Sequence, residues 1–142
     1  MDPYTRWAQL VVHGAACPSD PRTLALWSAH VGISESTLRS RCAASGVHAR
    51  DARDFTRLLR LVLLPQQGEL AWDPARHLES RDPRTIHRLL LAGGLPAAAP
   101  PSHPSPRPTV ETFLQHQKLL HPAAVAAVRH ALTSAPIPTS PS

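Results

Sequence analysis

Three groups of side chains in this chain have the type and spacing to do chemistry, and in each the chemistry is recognition of phosphates and base edges. Arg39 stands among Ser34, Ser36 and Ser40 in the stretch SESTLRSRC. A guanidinium offers a planar fork of N–H donors that fits two acceptors on one guanine edge, and serine hydroxyls suit either bases or phosphate. The second group is Arg84, His87 and Arg88, in which the two arginines are four apart and share a helix face. The third, Arg50, Arg53, Arg57 and Arg60, falls at helical spacing opposite an apolar stripe of Phe55, Leu58, Leu59 and Val62. Such a row could follow a phosphate backbone. It could equally be a solvated face whose stems cover the core, partly neutralised by Asp51 and Asp54. Glu35, beside the first group, would either repel phosphate or accept from a cytosine amine.

Other chemistries find no residues. The chain has no phosphate-cradling glycine loop, no nucleophile elbow and no clustered carboxylate pair, so no enzyme is expected. Its nine histidines form no H-x-x-x-H pair and the lone His13–Cys17 pair has no further His or Cys beside it in sequence, so neither metal nor cofactor is expected. Cys17 and Cys42 have no C-x-x-C partner, and Cys42 reads as a small buried apolar residue in a reducing compartment. Trp7, Trp27 and Trp72 are spread over three segments and read as core anchors rather than base-stacking platforms.

The elements that must carry these groups announce themselves by helix starts. Asp-Pro occurs at 2–3, 20–21, 73–74 and 82–83. Aspartate caps a helix and favours its positive end, while proline fits the first helical position, where its missing N–H costs nothing. All four are read as starts. The tetrapeptide DPRT recurs 62 residues apart, at 20–23 and 82–85, but the flanks do not match at that period. An offset of 48 does better: SESTLRSRCAASGV, residues 34–47, overlays DPRTIHRLLLAGGL, residues 82–95, without a gap. Thr37 then falls on Thr85, Leu38 on Ile86, Ala44 on Ala92 and Gly46 on Gly94. Each copy opens on a capping residue, Ser34 or Asp82, runs about three turns, and ends at a glycine suited to the left-handed residue that stops a helix. Upstream of the first copy, Leu24, Trp27 and Val31 keep helical spacing before Gly32, Ile33 and Ser34. This is the layout of a helix-turn-helix.

The resulting expectation is an all-α chain with helices near 3–13, 21–30, 35–44, 50–64, 74–79 and 83–92 and no alternating strand. These make two helix-turn-helix units, about 3–46 and 50–95, joined by the long helix. A Pro-rich linker is expected at 96–108, from its PAAAPPSHPSPRP stretch. Two short helices follow, giving a hairpin over 109–133 that is too small to stand alone and must dock on the rest or bind another protein. The last residues, 134–142, read as a disordered tail.

With 142 residues the chain has room for one small domain or two very small ones. Fourteen of its fifteen basic residues are arginine and the formal charge is +5. A genome rich in G and C gives the same bias, so the arginine count alone carries little weight. The opening MDPYTRWAQLVVHGAAC lacks a basic start, is interrupted by His13, and has Gly14 where a lipoprotein signal needs a branched aliphatic residue. It is not read as a leader. No run approaches the length of a membrane span, and a cytoplasmic, nucleoid-associated protein is expected.

Two helix-turn-helix units 48 residues apart on a long shared helix resemble the DNA-binding domain of the AraC/XylS family of bacterial transcription regulators. VGISESTLRSRCAASGV is similar to the family's first unit and FTRLLRLVLL to its connecting helix, with Arg57 where the family usually carries arginine. The likeness covers about residues 20–95. It departs at Arg41 and Cys42, where the family has an apolar residue and an aromatic, and at WDPARHLES, which is shorter and more polar than the usual leading helix. The resemblance implies a sequence-specific regulator of double-stranded DNA. In it Ser34, Ser36, Arg39 and Ser40 read the major groove, while Arg84, His87, Arg88, Arg50 and Arg53 hold mainly backbone. RNA polymerase or another protein would be met through the hairpin. The alternative is a helical protein-interaction module that keeps the fold without specific DNA binding, since residues 1–95 carry twelve arginines against nine carboxylates, a net of only +3.

Overall fold

A computed structural model describes residues 2–64, 72–96 and 107–134. It is all-helical, with no strand among the described residues. Seven α-helices follow in order: α1 Pro3–Ala15, α2 Leu24–Val31, α3 Glu35–Ala44, α4 Ala49–Leu63, α5 Pro83–Ala92, α6 Val110–His116 and α7 Pro122–Ser134. One 3-10 turn, Pro74–His77, stands between α4 and α5. Most of the expected linker and tail, residues 97–106 and 135–142, lies outside the described residues. No described helix is long and apolar enough to cross a membrane.

Two of the four Asp-Pro pairs start helices as expected. Asp2 accepts from the Thr5 amide at 3.0 Å ahead of Pro3, and Asp82 accepts from the Arg84 amide at 3.1 Å ahead of Pro83. The other two need correction. The helix expected from Pro21 begins at Leu24, capped by Thr23, whose hydroxyl accepts from the Leu26 amide at 3.1 Å. Asp20 cannot cap because both its oxygens are taken by Arg57, at 2.9 and 2.8 Å. The helix expected over 74–79 is only the four-residue 3-10 turn, and Asp73 makes no side-chain capping bond.

Helix α4 runs through the core and buries Ala52, Phe55, Thr56, Leu58, Leu59 and Leu61. All three tryptophans are buried, as expected of core anchors. Trp27 donates its indole N–H to the Leu10 carbonyl at 3.0 Å and Trp72 donates to that of Pro96 at 2.7 Å. Gly14 explains itself here. A Cβ at this position would stand 2.5 Å from Nε1 of Trp27 and 2.9 Å from Thr56, so α1 approaches α2 and α4 only because residue 14 has no side chain.

The arginine row on α4 also needs correction. Arg57 and Arg60 are neither on a phosphate-facing surface nor solvated, but 6% and 5% exposed. Arg57 makes the two-pronged pair with Asp20. Arg60 donates to the carbonyls of Cys17, Pro18 and His77 at 3.1, 2.7 and 3.0 Å. Asp20 further accepts from the Glu79 amide at 2.9 Å. Two guanidiniums thus tie the segment before α2 and the segment before α5 to one helix.

The hairpin docks on the rest of the chain. Helix α7 packs along α1 with Ala124, Val125, Val128 and Ala131 buried, and Phe113 of α6 stacks on Phe55 of α4 with ring centroids 5.1 Å apart. Glu111 and Arg129 link α6 to α7 by an ion pair at 2.9 Å. Just before α6, Arg107 donates to the carbonyls of Leu61 and Val62 at 3.1 and 2.8 Å and also to that of Leu64, satisfying orphan acceptors at the end of α4.

Candidate nucleic-acid interface

The surface that could meet DNA is built from the two copies of the repeated element, and their local geometry is closely alike. Ser34 accepts from the Thr37 amide at 3.1 Å, and Asp82 caps the second copy in the same role. Both copies end on a left-handed glycine, Gly46 at φ +68 and Gly94 at φ +64. After each glycine the chain folds back to the same acceptor, Val47 N–H to the Cys42 carbonyl at 3.0 Å and Leu95 N–H to that of Leu90 at 2.9 Å. Those six-residue closures are the glycine-terminated helix stop. The overlay at offset 48 therefore holds in backbone geometry.

Before the first copy, α2 stops at Gly32, φ 76, and Ser34 caps α3, so the connection is the three-residue turn read from the sequence. Leu38 and Cys42 are fully buried and face the core. Ser36, Arg39 and Ser40 are therefore left outside, and all three are exposed. Ser34 is exposed as well, but its hydroxyl is engaged in capping and bonds Thr37 Oγ1 at 2.8 Å. Arg39 is held by Glu35, one turn earlier, at 3.1 Å. Both partners are about half exposed, and so weak a surface pair leaves the guanidinium available to another acceptor.

The second copy places Arg84, His87 and Arg88 on its exposed side and buries Leu89 and Leu90. The element before it is the 3-10 turn with a longer connection, so the two copies share a helix without sharing the helix that precedes it. Arg88 comes together with Arg50 and Arg53 around a cleft of about 230 Å³ between α4 and α5, which Thr85, Asp51 and Asp54 also line. Arg53 is paired with Asp54 at 2.9 Å. Four of the arginines singled out in sequence thus line one cleft, Arg57 while nearly buried and paired with Asp20, although they come from two elements 35 residues apart at Arg53 and Arg88. Arg50 and Arg88 are exposed, whereas Arg53 and the Asp51 carboxylate that also line the cleft are half-buried.

Sequence reasoning missed the burial of Arg57 and Arg60 with Asp20. One signal for Arg60 was present: it is flanked by Leu58, Leu59, Leu61 and Val62, an apolar run that no solvated residue would be expected to interrupt. No such signal marks Asp20 as the partner of Arg57, 37 residues away. Cys42 behaves as expected of a buried small residue: burial pushes its thiol up to about 11, against a smaller opposing effect of the Trp7 indole. Burial also raises Cys17, opposed by the nearby Arg60 charge. No group of three or more His, Cys, Asp or Glu among the described residues could hold a metal ion.

Compared with known proteins, the chain matches no family model, no curated protein and no solved structure.

Proposed function

We propose that this chain is a sequence-specific DNA-binding transcription regulator, organised like the AraC/XylS-type domain it resembles, and that α3 is the helix it lays in the major groove. The observation that carries the reading is the α2–turn–α3 unit. Its three-residue turn fixes α3 so that Leu38 and Cys42 hold the core while Ser36, Arg39 and Ser40 point outward. Arg39 would bond the two acceptors of a guanine, and the serines would reach neighbouring bases or phosphates. Arg84, His87 and Arg88 of α5, with Arg50 and Arg53 across the cleft, would hold the backbone. Such a regulator would act in the cytoplasm, at the nucleoid.

A second reading, a helical protein-interaction module, draws on Leu91. It is 63% exposed and lies one turn beyond Arg88 on the outward side of α5, where a phosphate-facing helix gains nothing from an apolar side chain. In that reading the partner, RNA polymerase or another protein, would meet α5, because the apolar faces of α6 and α7 are already spent on α4 and α1.

Selection of bound fragments from a genomic DNA pool, at two salt concentrations and with Arg39→Ala alongside, separates the two. Enrichment of a shared motif that weakens in the variant supports the regulator. No enrichment at low salt overturns it in favour of the interaction module.

A further inference from the structure

The two outward helices do not touch the third segment of the chain by accident of packing, for the connection between α6 and α7 grips both of them at the same end. We propose that this connection, residues 117–121 together with His116 at the end of α6, is a spacer that fixes the separation of α3 and α5. It would thereby set the spacing of the two DNA segments that one molecule can read at once. The second clause rests on the DNA-binding reading; the first does not.

At one side of the connection, Lys118 donates its backbone N–H to the carbonyl of Ala92, the last residue of α5, at 2.9 Å. At the other, His121 bonds the carbonyl of Ser45, the residue that ends α3, at 2.9 Å. Both acceptors are orphan carbonyls of a helix C-terminus, groups that need a partner from outside the helix. Because a carbonyl can only accept, Nε2 of His121 carries the proton. Its Nδ1 then accepts from the Ala124 amide at 3.4 Å, in the first turn of α7. One imidazole therefore joins the end of α3 to the start of α7, and the Tyr4 ring meets it edge-on at 5.9 Å.

Both stop glycines of the repeat also abut this connection. A Cβ on Gly94 would stand 2.6 Å from the His116 carbonyl oxygen, and one on Gly46 would stand 3.4 Å from Nε2 of His121. The loop between the two anchor points is rigid by its own bonds. The Gln117 side-chain oxygen accepts from the amides of Leu119 and Leu120, each at 2.8 Å, and its nitrogen donates to the Leu120 carbonyl at 3.2 Å. Outside the loop, α6 is fastened to α4 through Phe113 and α7 to α1, so the loop cannot drift as a body. The ends of α3 and α5 are thus held by one stiff bridge as well as by α4.

Spacing matters on a duplex because successive base pairs are about 3.4 Å apart along an axis that completes a turn in about 10 pairs. Two helices held at a fixed separation therefore meet two groove segments only at one register. Loosening the bridge would let several registers be used.

The test uses the full chain with Gln117→Ala and His121→Ala combined, Gln117→Ala alone, and His121→Gln as the variant that keeps a side-chain donor toward Ser45. Spin labels on Ser40→Cys and His87→Cys, in a Cys17→Ser background, report the α3–α5 distance by pulsed electron resonance without DNA. The expected result is one narrow distance in the parent and in His121→Gln, and a broadened distribution in the double variant. Should the double variant fail to fold by circular dichroism, Gln117→Ala is read in its place. A distribution as narrow as the parent's overturns the spacer. Binding to a library of paired sites with varied spacing then reads the second clause: preference for the best spacing over one shifted by a base pair should fall by roughly tenfold in the loosened variant. Broadened distances with an unchanged preference overturn the control of spacing. Absence of any DNA binding by the parent overturns the regulator reading and with it the second clause, while the distance measurement still decides the first.

Discussion

A guanidinium taken out of water costs several kcal/mol unless its charge is matched and its donors are used, and Arg57 meets both conditions only through Asp20. The carboxylate is fully buried in its side chain and the pair is closed at two points, 2.9 and 2.8 Å. Asp20→Asn would leave a buried, unmatched arginine and should lower unfolding free energy by about 3–5 kcal/mol, read as a shifted urea midpoint. Because the same arginine faces inward, Arg57→Ala should destabilise the fold yet leave the salt dependence of the proposed DNA binding unchanged. A reduced salt slope in that variant would contradict the inward placement. The two cysteines divide in a similar way. Cys42, with no exposed surface and its thiol pushed up to about 11 by burial, should stay unmodified by a thiol reagent at pH 8 in the folded protein. Cys17 is only partly covered and should take up one equivalent slowly, with a second appearing only on unfolding.

At the level of single elements, the stop glycines offer a comparison between two nearly identical backbones. Gly46→Ala places a side chain at φ +68 with its nearest neighbour 3.4 Å away, so the cost is the left-handed conformation itself, about 1–2 kcal/mol. Gly94→Ala adds a 2.6 Å approach to the His116 carbonyl and should be clearly the more destabilising in thermal melts. Glu111, which joins α6 to α7, is held below its usual value of 4.5 chiefly by the hydrogen bond from Arg129. A depressed folded value stabilises above the unfolded one and is lost as pH falls through the folded one. Melting temperature should therefore drop more steeply below about pH 4.5 in the parent than in Glu111→Gln. The elements were legible in sequence where the deciding bonds are local: the caps at Asp2, Ser34 and Asp82, the stops at Gly46 and Gly94, and the boundaries of α3 and α5. They were illegible where a distant partner overrode a local signal. Asp20-Pro21 has every mark of a helix start, but a buried arginine far along the chain claims the carboxylate and Thr23 inherits the cap. Of the candidate site, the exposed sets on α3 and α5 followed from periodicity, whereas the meeting of Arg50, Arg53 and Arg88 in one cleft depends on how α5 crosses α4, which no spacing encodes.

For the molecule as a whole, the question is whether the hairpin is an appendage or part of one cooperative unit. Sequence spacing marks α6 and α7 as too short to stand alone, and the structure shows what they lean on: α7 lies along α1, Phe113 stacks on Phe55, and His121 closes on Ser45. These contacts reach α3, the proposed reading helix, and α1 and α4, two of the helices that hold it in place. Phe113→Ala would leave a cavity beside Phe55 and should cost about 3–5 kcal/mol, a large share of the roughly 5–15 kcal/mol typical of a whole domain. The tryptophans make the outcome decisive. Trp7, Trp27 and Trp72 all lie before the hairpin and none lies in it, so their fluorescence reports only the part of the chain that an appendage would not affect. If the core is shared, Phe113→Ala lowers the denaturant midpoint seen by tryptophan fluorescence as much as the midpoint seen by far-ultraviolet circular dichroism, and the two transitions coincide. If the hairpin melts separately, the circular dichroism splits into two steps and the tryptophan midpoint stays where it is in the parent.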